Sequence, residues 1–265
     1  MLIYFLNRKI LFAFFVPLIV ALQTNAQKKD SMKLTLGISV GAGLPLGNFK
    51  QADSSGITHS NKYQGYAKAG WDFNIKARYQ ITEHLGILAH LGGNVNEFKS
   101  YSLPGESVGV NNIEYNVTGS NYYIGSYLIG PIFNFQISNK FELEIHGLCG
   151  LMTVNYSTIT YSAGNAYSAK LLSSPISTFK PDLSSTFGYN FGGSITWKFT
   201  KRIGIILGVE YLGGTPTFSG YTYYYYDYSS SSGHSSPVNG HFSYSKELMT
   251  TGLVNINLGT IFSFR

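Results

Sequence analysis

From Ala67 to Tyr79 the chain alternates without a break. Ala67, Ala69, Trp71, Phe73, Ile75, Ala77 and Tyr79 take the odd positions, and Lys68, Gly70, Asp72, Asn74, Lys76 and Arg78 the even ones. Strand side chains point to opposite faces with a period of two, whereas a helix would scatter such a set around its circumference. One face is therefore apolar and the other polar or glycine. The same rhythm returns over 33–47, 85–98, 121–136, 141–156, 186–199, 203–214 and 247–264, which makes eight strands of ten residues or more. In residues 33–47, Leu34, Leu36, Ile38, Val40, Ala42 and Leu44 oppose Thr35, Gly37, Ser39, Gly41 and Gly43. Tilted strands that cross a membrane need about this length.

The connections differ in kind. Three are tight, at Thr82-Glu83-His84, Ser138-Asn139-Lys140 and Thr200-Lys201-Arg202. Four are long, roughly 48–65, 99–120, 157–185 and 215–246, and rich in Ser, Tyr, Asn and Gly. The last holds Tyr221-Thr222-Tyr223-Tyr224-Tyr225-Tyr226-Asp227-Tyr228. Short turns at one end and long loops at the other are the pattern of outer-membrane barrels.

The first 26 residues read differently. Arg8 and Lys9 precede an apolar run from Ile10 to Leu22, and Thr24-Asn25-Ala26 supplies short residues before Gln27. This is the form of a secretory signal peptide, and the run is too short for a membrane anchor. The expected organisation is a signal peptide over 1–26 and one barrel domain over 27–265. The lone cysteine, Cys149, allows no disulfide within the chain, so packing or a membrane environment must hold the fold. Charged residues make up only 12% of the chain, against about a quarter in ordinary globular domains. The modest positive balance comes with no basic cluster among aromatics, so a nucleic-acid partner is not expected.

Alternation alone does not say which face is inside. The polar face consists largely of Gly, Ser, Thr and Asn, which suit a narrow eight-stranded lumen. The apolar face carries Trp, Tyr and Phe near strand ends, as an interfacial aromatic girdle does. The expected fold is all-β: an eight-stranded antiparallel transmembrane barrel in the cell outer membrane, with short periplasmic turns and long extracellular loops.

The leader, the eight alternating segments and the ending Phe262-Ser263-Phe264-Arg265 resemble the small outer-membrane barrel superfamily, the OmpA/OmpX/OmpW-like proteins. The Ala26-Gln27 junction and the Tyr-rich loops are most similar to outer-membrane β-barrel domain proteins of the Bacteroidota, PorT-like members included. The resemblance implies outer-membrane lipid and lipopolysaccharide as surroundings and the barrel-assembly machinery as a partner during insertion. An aromatic residue usually ends such chains; here Phe264 is penultimate.

With the apolar face outward, Lys68, Asp72, Lys76, Arg78, Glu142, Glu144, His146, Lys198 and Glu210 point inward, with His90. A charge facing lipid near the midplane costs about 2–4 kcal/mol, which enforces that assignment. Lys76 and Arg78 are expected to pair with Glu142 and Glu144 near the short turns, as an ion-pair plug rather than a proton or ion path. Loss of Glu144 should then destabilise the barrel and raise its conductance.

No catalytic set emerges. His241-Phe242-Ser243 has the His-x-Ser spacing of PagL-like lipid A deacylases, but Tyr244-Ser245-Lys246 stands where Asn-Ala-Gly should follow. His59 and His234 share loops with Asp53 and Asp227, with nothing to fix their geometry. His84, His90 and His146 are not spaced as a ligand pair on one strand, and no cofactor is implied. The leading expectation is a non-enzymatic membrane scaffold whose Tyr-rich loops can meet an extracellular protein or glycan. The alternatives are a small channel for ions or apolar solutes and, further off, a lipid A-modifying enzyme.

Overall fold

The computed structural model describes residues 34–50, 65–108, 111–163, 177–181, 183–229, 234–248 and 250–264. The leader and the Asp53–His59 segment lie outside them. Eight antiparallel strands close into a barrel: β1 (Leu34–Leu46), β2 (Ala67–Gln80), β3 (Leu85–Phe98), β6 (Tyr122–Gln136), β7 (Phe141–Asn155), β10 (Ser184–Lys198), β11 (Ile203–Gly214) and β14 (Thr251–Phe264). Each pairs with its neighbour in the chain's order of barrel strands. β1 joins β14 over thirteen registered pairs from Leu34↔Phe264 to Leu46↔Gly252, which leaves the barrel no free edge.

The three tight turns share one design. Ile81-Thr82-Glu83-His84-Leu85, Ile137-Ser138-Asn139-Lys140-Phe141 and Phe199-Thr200-Lys201-Arg202-Ile203 each run apolar, hydroxyl, any, basic, apolar. In each, the Ser or Thr Oγ accepts hydrogen bonds from the backbone N–H groups two and three residues on, at 3.0–3.3 Å. The hydroxyl thus satisfies donors that the reversing chain would leave open.

The long connections are not loops throughout. Three of them fold as β-hairpins: β4 (Tyr101–Val108) with β5 (Asn111–Gly119), β8 (Ile159–Ala163) with β9 (Ser177–Pro181), and β12 (Thr217–Ser229) with β13 (His234–Leu248). They join edge to edge in a six-stranded sheet of order β13-β12-β9-β8-β5-β4. Only two or three residues separate each hairpin strand from its barrel strand, so the wall continues upward with a break at the rim. The eighth barrel strand accordingly begins at Thr251 rather than at 247, because Leu248 closes the hairpin strand β13. The remaining connection, from β1 to β2, starts with one helical turn, α1 (Gly47–Lys50), which turns Phe49 into the barrel mouth.

Alternation fails at one place that matters. Between Ala67 and Gly70, β2 carries an extra residue against Phe98 and Asn96 of β3. This bulge reverses the facing of the strand's first residues. Ala67, expected outside, is buried, and Lys68, expected in the lumen, is exposed. Lys68 is therefore not a lumen residue.

Candidate functional site in the barrel lumen

The lumen is filled in three layers. The layer nearest the tight turns is charged. Arg78 stands among residues from three other strands: Nη1 donates to Glu142 Oε1 at 2.8 Å, to Asn134 Oδ1 at 3.0 Å and to Glu144 Oε1, and Nη2 donates to Thr35 Oγ1 at 3.4 Å. Lys198 donates to the other oxygen of Glu142, and Ser194 Oγ to Glu144 Oε2 at 3.0 Å. A cavity of about 30 Å³ beside Arg78, lined in part by Thr35, Lys76, Leu88 and Ile132, has room for one or two waters.

The middle layer turns on Glu210, which is 1% exposed. It accepts hydrogen bonds from Lys76 Nζ, from Asn190 Nδ2 at 3.1 Å and from Asn257 Nδ2 at 3.3 Å. His146 Nε2 lies 3.8 Å from Glu210 and 3.0 Å from Asn190 Oδ1. On the same level His90 Nε2 lies 2.6 Å from Asn74 Oδ1, and Asn74 Nδ2 donates to Asp72 Oδ2 at 2.5 Å.

The layer at the loop end is apolar. Phe49, Phe98, Tyr122, Ile124, Leu128 and Met152 belong to one buried cluster that extends to Val154, Tyr156, Leu212 and Leu253. Phe49 meets Tyr122 edge to face at 5.1 Å, and the Tyr122 hydroxyl donates to the carbonyl of Gly65. The barrel mouth is thus stopped by side chains hung from α1 and from the upper ends of the strands.

Sequence reasoning placed Lys76 with Glu142 and Glu144. The structure places it against Glu210 instead. Two residues along a strand are about 6.6 Å, so Lys76 stands one level above Arg78, where β11 presents Glu210. Arg78 alone serves both carboxylates of the lower layer, with Lys198 from the rim. Thr35, Asn134, Asn190, Ser194 and Asn257, the neutral members, were not singled out. Their inward positions could have marked them, since a buried charge recruits hydrogen bonds from whatever faces it.

The outside of the wall is the inverse of the lumen. Val40 (55% exposed), Leu207 (54%) and Leu258 (57%) belong to a continuous apolar band with Ile38, Ile75, Ile129, Ile145, Ile195 and Val209. Aromatic residues rim it. Phe135, Phe141, Trp197 and Phe199 stand at the short-turn end, with Phe141 stacked on Trp197 at 6.3 Å, and Trp71, Tyr123 and Phe187 stand near the other. A monomer in water rarely exposes an apolar surface beyond a few hundred Å², and this one encircles the barrel. The chain is an outer-membrane β-barrel. Its fold is a closed barrel of eight antiparallel strands.

No family model matches the chain, and no curated protein matches it. Among solved structures it is similar to the attachment invasion locus protein Ail of Yersinia pestis at 14% identity (89% of this chain, 100% of that one, TM-score 0.41). It is also similar to OprG from Pseudomonas aeruginosa at 11% identity (89% and 97%, TM-score 0.41) and to the protease OmpT from Escherichia coli at 8% (89% and 97%, TM-score 0.45).

Residues 241–243 lie on β13, where Thr222 pairs with His241 and Tyr221 with Phe242; their side chains lie outside the described set, as do those of Asp227 and His234. Among the described residues no three His, Cys, Asp or Glu side chains are grouped to hold a metal ion. Cys149 is exposed on the outer wall.

Refolded into detergent micelles, the protein is expected to migrate faster on gels unboiled than boiled. Closure through β1 and β14 keeps the barrel compact until heat opens it. Recovery as a soluble monomer without detergent would contradict the membrane assignment.

Proposed function

We propose that the protein is a non-enzymatic outer-membrane scaffold, a closed barrel that carries its hairpin sheet outside the cell and offers it to extracellular partners. The filled lumen carries this reading. An eight-stranded barrel is only wide enough for its own side chains. Here Arg78, Glu142 and Glu144 occupy one end, and Phe49, Tyr122 and Met152 the other. The hairpins supply the display surface. Five antiparallel pairings hold the six strands together, and the run Tyr221–Tyr228 brings six tyrosines, whose flat rings and polar tips suit protein or glycan surfaces.

Planar-bilayer recording of the refolded protein tests the closed barrel. The expected outcome is a baseline current at ordinary ionic strength. Steady single-channel steps would overturn the scaffold reading and favour a small ion channel.

A further inference from the structure

Between the middle layer and the apolar stopper, the charges of the lumen do not balance. Lys76, Arg78 and Lys198 face Asp72, Glu142, Glu144 and Glu210. Each glutamate has a cation in contact, whereas Asp72, 2% exposed, has none within ion-pair distance among the described residues. Asp72 accepts instead from two amides, Asn74 Nδ2 at 2.5 Å and Asn255 Nδ2 at 3.2 Å.

Around Asp72 the neighbouring amides expose oxygen. Asn94 (2% exposed), Asn255 (1%) and Asn257 (3%) each have a buried Oδ1 with no hydrogen-bond partner. Asn94 is registered directly opposite Asp72 across β2 and β3. The orientations of Asn255 and Asn257 are fixed, because their amide nitrogens donate to Asp72 and Glu210; a flip would set oxygen against carboxylate. Their oxygens are thereby turned toward β1, which is smooth there. A Cβ built on Gly43 would stand 2.6 Å from Asn94 Oδ1 and 3.2 Å from Asn255 Oδ1, and one on Gly41 would stand 2.3 Å from Asn257 Oδ1. Two amide oxygens thus converge on one point beside Gly43. A third lies two residues along the same strand, at Gly41, which is registered opposite Asp72.

We propose that Asp72, Asn94, Asn255 and Asn257 form a binding site for one monovalent alkali cation, walled by Gly41 and Gly43. A single carboxylate with neutral carbonyl-type oxygens is the ligand set of a weakly charged hard cation; calcium draws on more carboxylate charge, and magnesium keeps several waters. One bound monovalent ion meets both demands of the site. It compensates the unbalanced negative charge, and it gives the amide oxygens the partner that a buried acceptor otherwise lacks.

The site is tested on refolded wild-type protein by urea unfolding in sodium, potassium or N-methylglucamine chloride at equal ionic strength. Binding to the folded state raises stability with the logarithm of the ion concentration, by about 1.4 kcal/mol per tenfold above the dissociation constant. The midpoint is expected to climb in sodium or potassium chloride and not in the N-methylglucamine salt. Asp72→Asn should flatten the response by removing the charge. Gly43→Ala should flatten it by filling the convergence point and pushing Asn94 Oδ1 aside. Crystals grown in rubidium chloride should show an anomalous peak beside Gly43. Equal wild-type midpoints in all three salts would overturn the proposal and leave a proton on Asp72 as the compensating charge; so would an unchanged response in Asp72→Asn, or rubidium-grown crystals with no peak there.

Discussion

Arg78→Ala is expected to lower the stability of the refolded barrel by about 3–5 kcal/mol while leaving it electrically silent. Arg78 is 8% exposed and is the shared cation of the lower layer. Without it, Glu142 keeps Lys198, but Glu144 is left with the Ser194 hydroxyl alone. An uncompensated buried carboxylate accounts for most of the loss. Arg78→Lys should recover part of it: the charge stays, but one ammonium cannot replace a planar fork that reaches Glu142, Glu144, Asn134 and Thr35 together. Lys198→Ala should cost less, since that side chain is 29% exposed at the rim and water can take over from it. The urea midpoint measures all three.

The expected silence comes from the apolar stopper. Alternation in the sequence suggests a single seal, the ion pairs, so that removing one partner would open the barrel. In the structure a second seal lies in series with the first, built on Phe49, Phe98, Tyr122 and Met152. Current should therefore appear only when both are cut, as in Arg78→Ala combined with Phe49→Ala. Steady conductance from Arg78→Ala alone would mean that the stopper does not close the mouth.

The barrel was legible because its solvent imposes a simple rule: lipid outside and side chains inside force strict alternation on every strand. Thirteen registered pairs join β1 and β14, two segments whose outward positions are largely apolar. Legibility ended where the rule stops applying. Above the rim no lipid rule applies, and β12 carries Tyr223 to Tyr226 in succession with no period to read. Phe49 shows no pattern either, because its burial comes from one helical turn folding back over the mouth. Lys68 was misplaced because a bulge leaves no mark in composition and changes only the parity. In the lumen the charged residues stood out and their heights could be compared along one strand. Their partners could not, since Lys76 and Glu210 are 134 residues apart and meet only through closure and strand order.

That pair sets up the second large effect. Glu210→Gln is expected to cost about 3–5 kcal/mol, and Lys76→Met combined with Glu210→Gln to return to within about 1 kcal/mol of the parent. The single change keeps the shape of the side chain but leaves one oxygen where Asn190 and Asn257 use two, so it removes the countercharge of Lys76 and one of the two acceptors. The Lys76 side chain is 13% exposed and lies at mid-height in the lumen, away from both barrel ends. Lys76→Met alone should cost less than Glu210→Gln. The stranded Glu210 keeps both asparagine donors. In the double variant no charge is left to strand, and methionine fills the space of the lysine stem. The cycle over the four proteins should then give a coupling of several kcal/mol, well above the half kcal/mol within which independent sites add. Additive losses would instead mean that water reaches Lys76 and Glu210 at mid-height, which would place a wet lumen beneath the stopper and remove the desolvation on which the Arg78 expectation also rests.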